Sequence, residues 1–198
     1  MLHPATRAAI PAVLTGVESA ADQYGWDQPP VVFGLFDRTD LADGAGSGFG
    51  ALEVDPTLAA PDLWTASDPA RPGESLPVPV VLQRFARQLA TPHARVWLRD
   101  WLARDRRALV GVGLLFEGWA GPVTPGYRRG DLVKAPAVLR REIRIAAAVD
   151  TDLGLHRVAR VRHGQPSAAR SWPELPWWGQ RRGVVVGLRA LTELAKRV

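Results

Sequence analysis

Gly44, Gly46, Gly48 and Gly50 stand at alternate positions in "DGAGSGFGALEV", residues Asp43–Val54, just ahead of an apolar run. Loops of this kind can wrap several backbone N–H groups around one phosphate, because no Cβ holds the anion away. Each phosphate-binding design asks for more. The Walker loop needs a lysine directly after its last glycine, and none follows Gly50 until Lys134. The dinucleotide loop needs G-x-G-x-x-G opening a helix, whereas the residues after Gly50 alternate like a strand. The kinase loop comes closest, since it joins two antiparallel strands and ends in Phe-Gly, as Phe49-Gly50 does. Gly46–Gly50 is one residue short of it, and no HRD or DFG signature is present. The stretch reads as the connection of a hairpin between Val31–Asp37 and Phe49–Asp55.

Glu117 ends the most apolar segment, "ALVGVGLLFEGWAG", on the face that also carries Gly111 and Gly113. A carboxyl buried there is suited to general acid or base work in a hydrolase, or to an ion pair with an arginine of the next strand, such as Arg144. No Ser-His-Asp order and no carboxylate pair stands beside it, so the ion pair is the expectation. "DTDLG", Asp150–Gly154, matches the start of a calcium loop but lacks that loop's later ligands, and the same residues suit a β-turn. His3, His93, His156 and His163 form no ligand-spaced pair, so neither a metal site nor a cofactor is expected.

Trp172, Trp177 and Trp178 lie among prolines, with Arg170, Arg181 and Arg182 close by. Aromatics beside arginines suit stacking on bases and contact with phosphate. Tryptophan is equally suited to lying across a sheet or in a homo-oligomer contact. Arg181 and Arg182 precede a helix whose amino end is already positive, an arrangement that an anion would stabilise.

The elements that must position these groups follow from periodicity. A helix over 9–24 presents Ile10, Val13, Leu14, Val17, Ala21 and Tyr24, with Pro11 in its first turn. "PDLWTASDPARPGESLP" reads as a surface loop. Helices follow near 78–90 and from an N-cap at Thr91, the second with Trp97, Leu98, Trp101 and Leu102 on one face. A central strand over Ala108–Gly121 puts Val110, Val112, Leu114 and Phe116 on one face and Leu109, Gly111, Gly113, Leu115 and Glu117 on the other. In the Arg141–Arg162 hairpin, Asp150 opposes Gly154. That register buries Ile143, Ile145, Ala147, Val149, Leu155, Ala159 and Val161 together and exposes Arg144, Arg160 and Arg162 on the opposite face. A helix over 184–197 closes the chain. The order predicts one α+β domain over residues 1–198, a mainly antiparallel sheet of about five strands with helices on its apolar face.

Among the 198 residues, 46% are hydrophobic and 23% charged, as in ordinary globular proteins. There is no cysteine, which excludes disulfides, thiolate metal sites and cysteine nucleophiles. No basic lead-in precedes an apolar run and no stretch approaches the ~18 apolar residues of a membrane span. The expectation is a cytoplasmic protein with no membrane contact. Charge is divided unevenly: residues 1–100 hold 7 basic and 12 acidic side chains, and residues 101–198 hold 18 and 8. Codon bias acts on both halves alike, so the division points to an anionic partner for the C-terminal half.

The strand ending "FEGWAG", followed by "RREIRIAAAVDTDLGLHRVARVRHG", resembles a loose set of uncharacterised proteins from GC-rich bacteria and their phages. The resemblance implies a real domain and carries no known activity. Together these features predict a non-enzymatic binding or accessory module. Its candidate anion or nucleic-acid site is Arg144, Arg160, Arg162, Arg181, Arg182, Trp177 and Trp178, and nucleic acid is the expected anionic polymer. The alternatives are a phage-type or homo-oligomeric assembly component and a hydrolase centred on Glu117.

Overall fold

The computed structural model describes residues 1–37, 52–56, 67–68, 71–104, 107–120, 141–166, 168–175 and 183–198. Helix α1 (Pro4–Gln23) leads into β1 (Val31–Asp37) and β2 (Leu52–Asp55), then a small hairpin of β3 (Ser67–Asp68) and β4 (Arg71–Ser75). Helices α2 (Val78–Leu89) and α3 (Pro92–Leu102) precede β5 (Ala108–Ala120), β6 (Arg141–Asp150), β7 (Leu155–Val161), β8 (Arg170–Trp172) and α4 (Val184–Lys196). The main sheet has six antiparallel strands in the order β2-β1-β5-β6-β7-β8. The fold is α+β. The sixth strand is β8, which pairs along β7 where the sequence pattern shows only a Trp- and Pro-rich stretch. The hairpin β3–β4 likewise falls within the stretch read as a loop.

Both faces of the sheet are covered, not one. Val32, Phe36, Val112, Leu114, Ala147, Val149 and Leu155 meet Leu82, Phe85, Leu98, Trp101, Leu188 and Leu191 of α2, α3 and α4. On the opposite face Phe33, Leu35, Val110, Ala146, Ala148 and Val158 meet Ile10 and Leu14 of α1. Helix α1 begins at Pro4, so Pro11 lies inside the helix and not in its first turn. That proline forfeits one backbone hydrogen bond, yet Ile10 and Leu14 on either side of it are fully buried.

The central strand departs from strict alternation. Its register against β1 shifts between Leu35 and Phe36, where Gly111 and Leu109 are the partners and Val110 is the extra residue. The bulge moves Val110 onto the α1 face, and Leu109 packs against the other core. Neighbouring strands approach the glycine face: a Cβ on Gly113 would sit 2.2 Å from the ring of Phe33, and one on Gly111 2.6 Å from the Val149 carbonyl oxygen.

The β6–β7 register is the expected one, with Ile143 opposite Val161, Arg144 opposite Arg160 and Ala148 opposite His156. The burial of its two faces is not. Arg144 is only 1% exposed and Arg160 9%, while Val161 is 38% exposed. The polar face is not a solvent face, because α1 lies across β6 and β7.

Candidate functional site

Helix α1 has three charged side chains, Arg7, Glu18 and Asp22, and every one engages the sheet beneath it. At its C-terminal end Glu18, wholly buried, accepts from Arg160 Nε at 2.7 Å and lies 3.8 Å from Arg144 Nη1. Arg144 donates from Nε and Nη2 to Glu117 Oε1 at 3.0 and 2.9 Å, from Nη1 to Asp22 at 3.3 Å, and to the Gly25 carbonyl. Its guanidinium also lies 4.5 Å from the centre of the Trp26 ring. Arg162, half-buried, pairs with Glu142 and Asp27. Hydrogen bonding to Glu142, outweighing partial desolvation, raises its pKa above the ordinary arginine value. Hydrogen bonding to Glu18 does the same for Arg160.

These contacts correct the expectation of an open arginine face. Arg144 and Arg160 are spent on holding α1 to the sheet. Trp177, Trp178, Arg181, Arg182 and the glycine loop Gly44–Gly48 lie outside the described residues. Glu117 is the ion-pair partner of Arg144, as its position suggested. Its second oxygen accepts the Asp27 backbone N–H at 2.7 Å. Glu117, Glu142 and Asp27 share a pocket of about 170 Å³ with Trp26 and Gly118, smaller than the ~300 Å³ of ordinary ligand sites. Each of these carboxylates faces an arginine, Glu117 facing Arg144 and Glu142 and Asp27 facing Arg162.

At the other end of α1 a second cluster surrounds Asp150, whose side chain is fully buried. Oδ1 accepts the N–H groups of Asp152 and Gly154 at 2.9 and 2.7 Å. This is the Asx turn that the local sequence favours. The positive φ falls on Leu153, at 68°, and not on Gly154. Gly154 is needed for a different reason: a Cβ there would lie 2.6 Å from Asp150 Oδ2. That oxygen accepts from Arg7 Nε at 3.1 Å and meets His156 Nε2 at 3.1 Å. His156 Nδ1 in turn lies 2.9 Å from Ser171 Oγ on β8. Burial by itself would raise the Asp150 pKa, but hydrogen bonds from His156 and Gly154 and the charge of Arg7 hold it below the usual carboxylate value.

Sequence reasoning missed this Ser171–His156–Asp150 chain. Asp150 and His156 could have been brought together from the hairpin register, which places them diagonally on one face. Ser171 could not, because β8 left no strand-like alternation to read. Among the described residues no group of three or more His, Cys, Asp or Glu side chains is placed to hold a metal ion, and no helix is long and apolar enough to cross a membrane.

Other arginines among the described residues face outward, Arg170 of the Trp–Arg stretch and Arg157 opposite it among them. Arg157 and Arg170 are directly opposed across β7 and β8, both exposed. Partial desolvation, then the like charge of Arg170, lowers the Arg157 pKa from its ordinary value. Arg87, Arg95 and Arg197 line a cleft of about 510 Å³ between α2 and α4, over a floor that includes Ala86, Ala190 and Leu194. On the α1 face an apolar trough of about 690 Å³ runs beside the helix, lined by Val13, Gly16, Val17, Val31, Phe33 and Leu115 among others. No family model, curated protein or solved structure matches the chain.

Proposed function

We propose that the protein is a binding module for an anionic polymer, nucleic acid in particular, and that the polymer engages the β7–β8 edge. The observation behind this reading is the Arg157–Arg170 pair: two like charges held directly opposite one another, with no carboxylate partner among the described residues. Such a cross-strand pair destabilises a sheet, and a phosphate between the two guanidinium groups turns the repulsion into attraction. Trp172 neighbours Arg170 on the same strand, next to the basic and aromatic residues Trp177, Trp178, Arg181 and Arg182 in the chain. The excess of basic residues in the C-terminal half agrees with it.

Titration of a labelled single-stranded oligonucleotide at two salt concentrations tests the proposal. Log affinity should fall with log salt by roughly 0.7 per neutralised phosphate, so replacing both Arg157 and Arg170 with Gln should flatten the slope by about one to two units. Arg160→Gln, removing a buried cation, should act on stability instead. Superimposable curves for wild type and the double Gln variant, or no binding at low salt, would sink the reading. A role in assembly would then replace it, for which the specific observation is the apolar trough beside α1, with Tyr24 at its rim 78% exposed.

A further inference from the structure

The geometry points to Ser171 as an activated nucleophile, with His156 as its general base and Asp150 as the positioning residue, able to take an acyl group from a small activated ester and pass it to water. The Asp150 carboxylate accepts at every contact it makes: from Arg7 Nε, from the Asp152 and Gly154 N–H groups, and from His156. An imidazole held against such a carboxylate through Nε2 carries its proton there. Nδ1 is left with a lone pair, 2.9 Å from Ser171 Oγ, which receives the serine hydroxyl proton. His156 is 2% exposed and Asp150 wholly buried, while Ser171 is exposed on the outermost strand. The base is therefore fixed and shielded, and the nucleophile is open to solvent.

A nucleophile bonded to a base that is itself oriented by a third group is the arrangement that activates serine in acyl transfer, recognised by geometry and roles and not by chain order. Here the ring nitrogens are used in the opposite sense to the familiar protease triad, Nδ1 toward the serine and Nε2 toward the carboxylate. The step balances in two halves. Ser171 Oγ forms a bond to the ester carbonyl carbon while its proton passes to His156 Nδ1, and the alcohol leaves with that proton. Water then attacks the acyl-serine, giving one proton to Nδ1, and Oγ leaves and recovers it. Ser171 stands exposed on the edge strand, where a small, reactive ester reaches it without a bound pose.

A fluorophosphonate probe with peptide mapping by mass spectrometry, and release of p-nitrophenol from p-nitrophenyl acetate, test this. Ser171 should label far faster than Ser19, which is exposed on α1 and serves as an internal control. His156→Gln, shown to be folded by circular dichroism, should slow both reactions by about 100-fold or more. Ser171→Ala should remove the label and the esterase signal together. Labelling of Ser171 no faster than Ser19, or labelling indifferent to His156→Gln, would overturn the assignment. Should His156→Gln fail to fold, the comparison of Ser171 with Ser19 in the wild type decides.

Discussion

Replacing Arg144 with Met should cost the domain about 3–5 kcal/mol of stability, the loss typical of breaking a buried ion pair from one side. The side chain is 1% exposed and is shared among Glu117, Asp22, Glu18 and the Gly25 carbonyl, so little solvent is at hand to replace it. Methionine fills much of the volume, yet it strips Glu117 of its guanidinium partner and leaves Glu18 with Arg160 alone, in surroundings where an underpaired carboxylate is costly. Glu117 loses both hydrogen bonds that Arg144 donates to it, and Glu18 loses a second nearby cation. Glu18 has little room to compensate. It has no accessible surface, and its Oε2 already has no hydrogen-bond partner. Urea unfolding monitored by tryptophan fluorescence measures the change. Arg162→Met on the same strand face is the comparison, because that side chain is 33% exposed and water can take over its role. It should shift the midpoint far less. Equal shifts for the two variants would mean that α1 does not seal the arginine layer.

The same layer shows how far a single sequence can be read. The β6–β7 register was legible because a slip of one residue would have mixed apolar and charged side chains on both faces, and the turn at Asp150–Gly154 set its position. What the alternation does not reveal is which face meets water. Arg144, Arg160 and Arg162 at alternate positions look like a solvent face, and the carboxylates that bury two of them come from α1, more than a hundred residues earlier. The one local hint was the helix itself, whose acidic side chains Glu18 and Asp22 sit four apart on one side. Two further features had little local signature. The bulge at Val110 reverses the facing of the strand's first residues, and Gly111 beside it is the one local sign, shared with Gly113 where no bulge occurs; β8 is three residues long. The Ser171–His156–Asp150 chain depends on β8, so it was hidden for the same reason. Arg170 was visible beside Trp172, but its pairing with Arg157 was not, because that pair exists only once β8 lies along β7.

Asp150→Ala should cost about 3–5 kcal/mol at neutral pH, as a buried charge with several partners does on removal, and the loss should be pH-dependent in a defined direction. The carboxylate holds the β6–β7 turn through two backbone N–H groups, ties α1 to the sheet through Arg7, and orients His156. Removing it leaves the two backbone N–H groups and His156 Nε2 without their acceptor and Arg7 with Asp152 alone. Because the folded carboxyl titrates below its usual value, the folded protein binds fewer protons than the unfolded chain as pH falls through the carboxylate range. Stability from Asp150 is therefore complete above the pH at which the unfolded aspartate ionises, and it is lost as pH falls through the folded pKa. The wild type should lead the Asp150→Ala variant by its full margin at neutral pH and by much less near about pH 2. Urea midpoints for both proteins at the two pH values isolate this group, since every other carboxylate is common to the pair. A margin that stays constant down to acid pH would show that Asp150 contributes through shape and packing and not through its charge. The ionised acceptor that holds the His156 tautomer would then be missing.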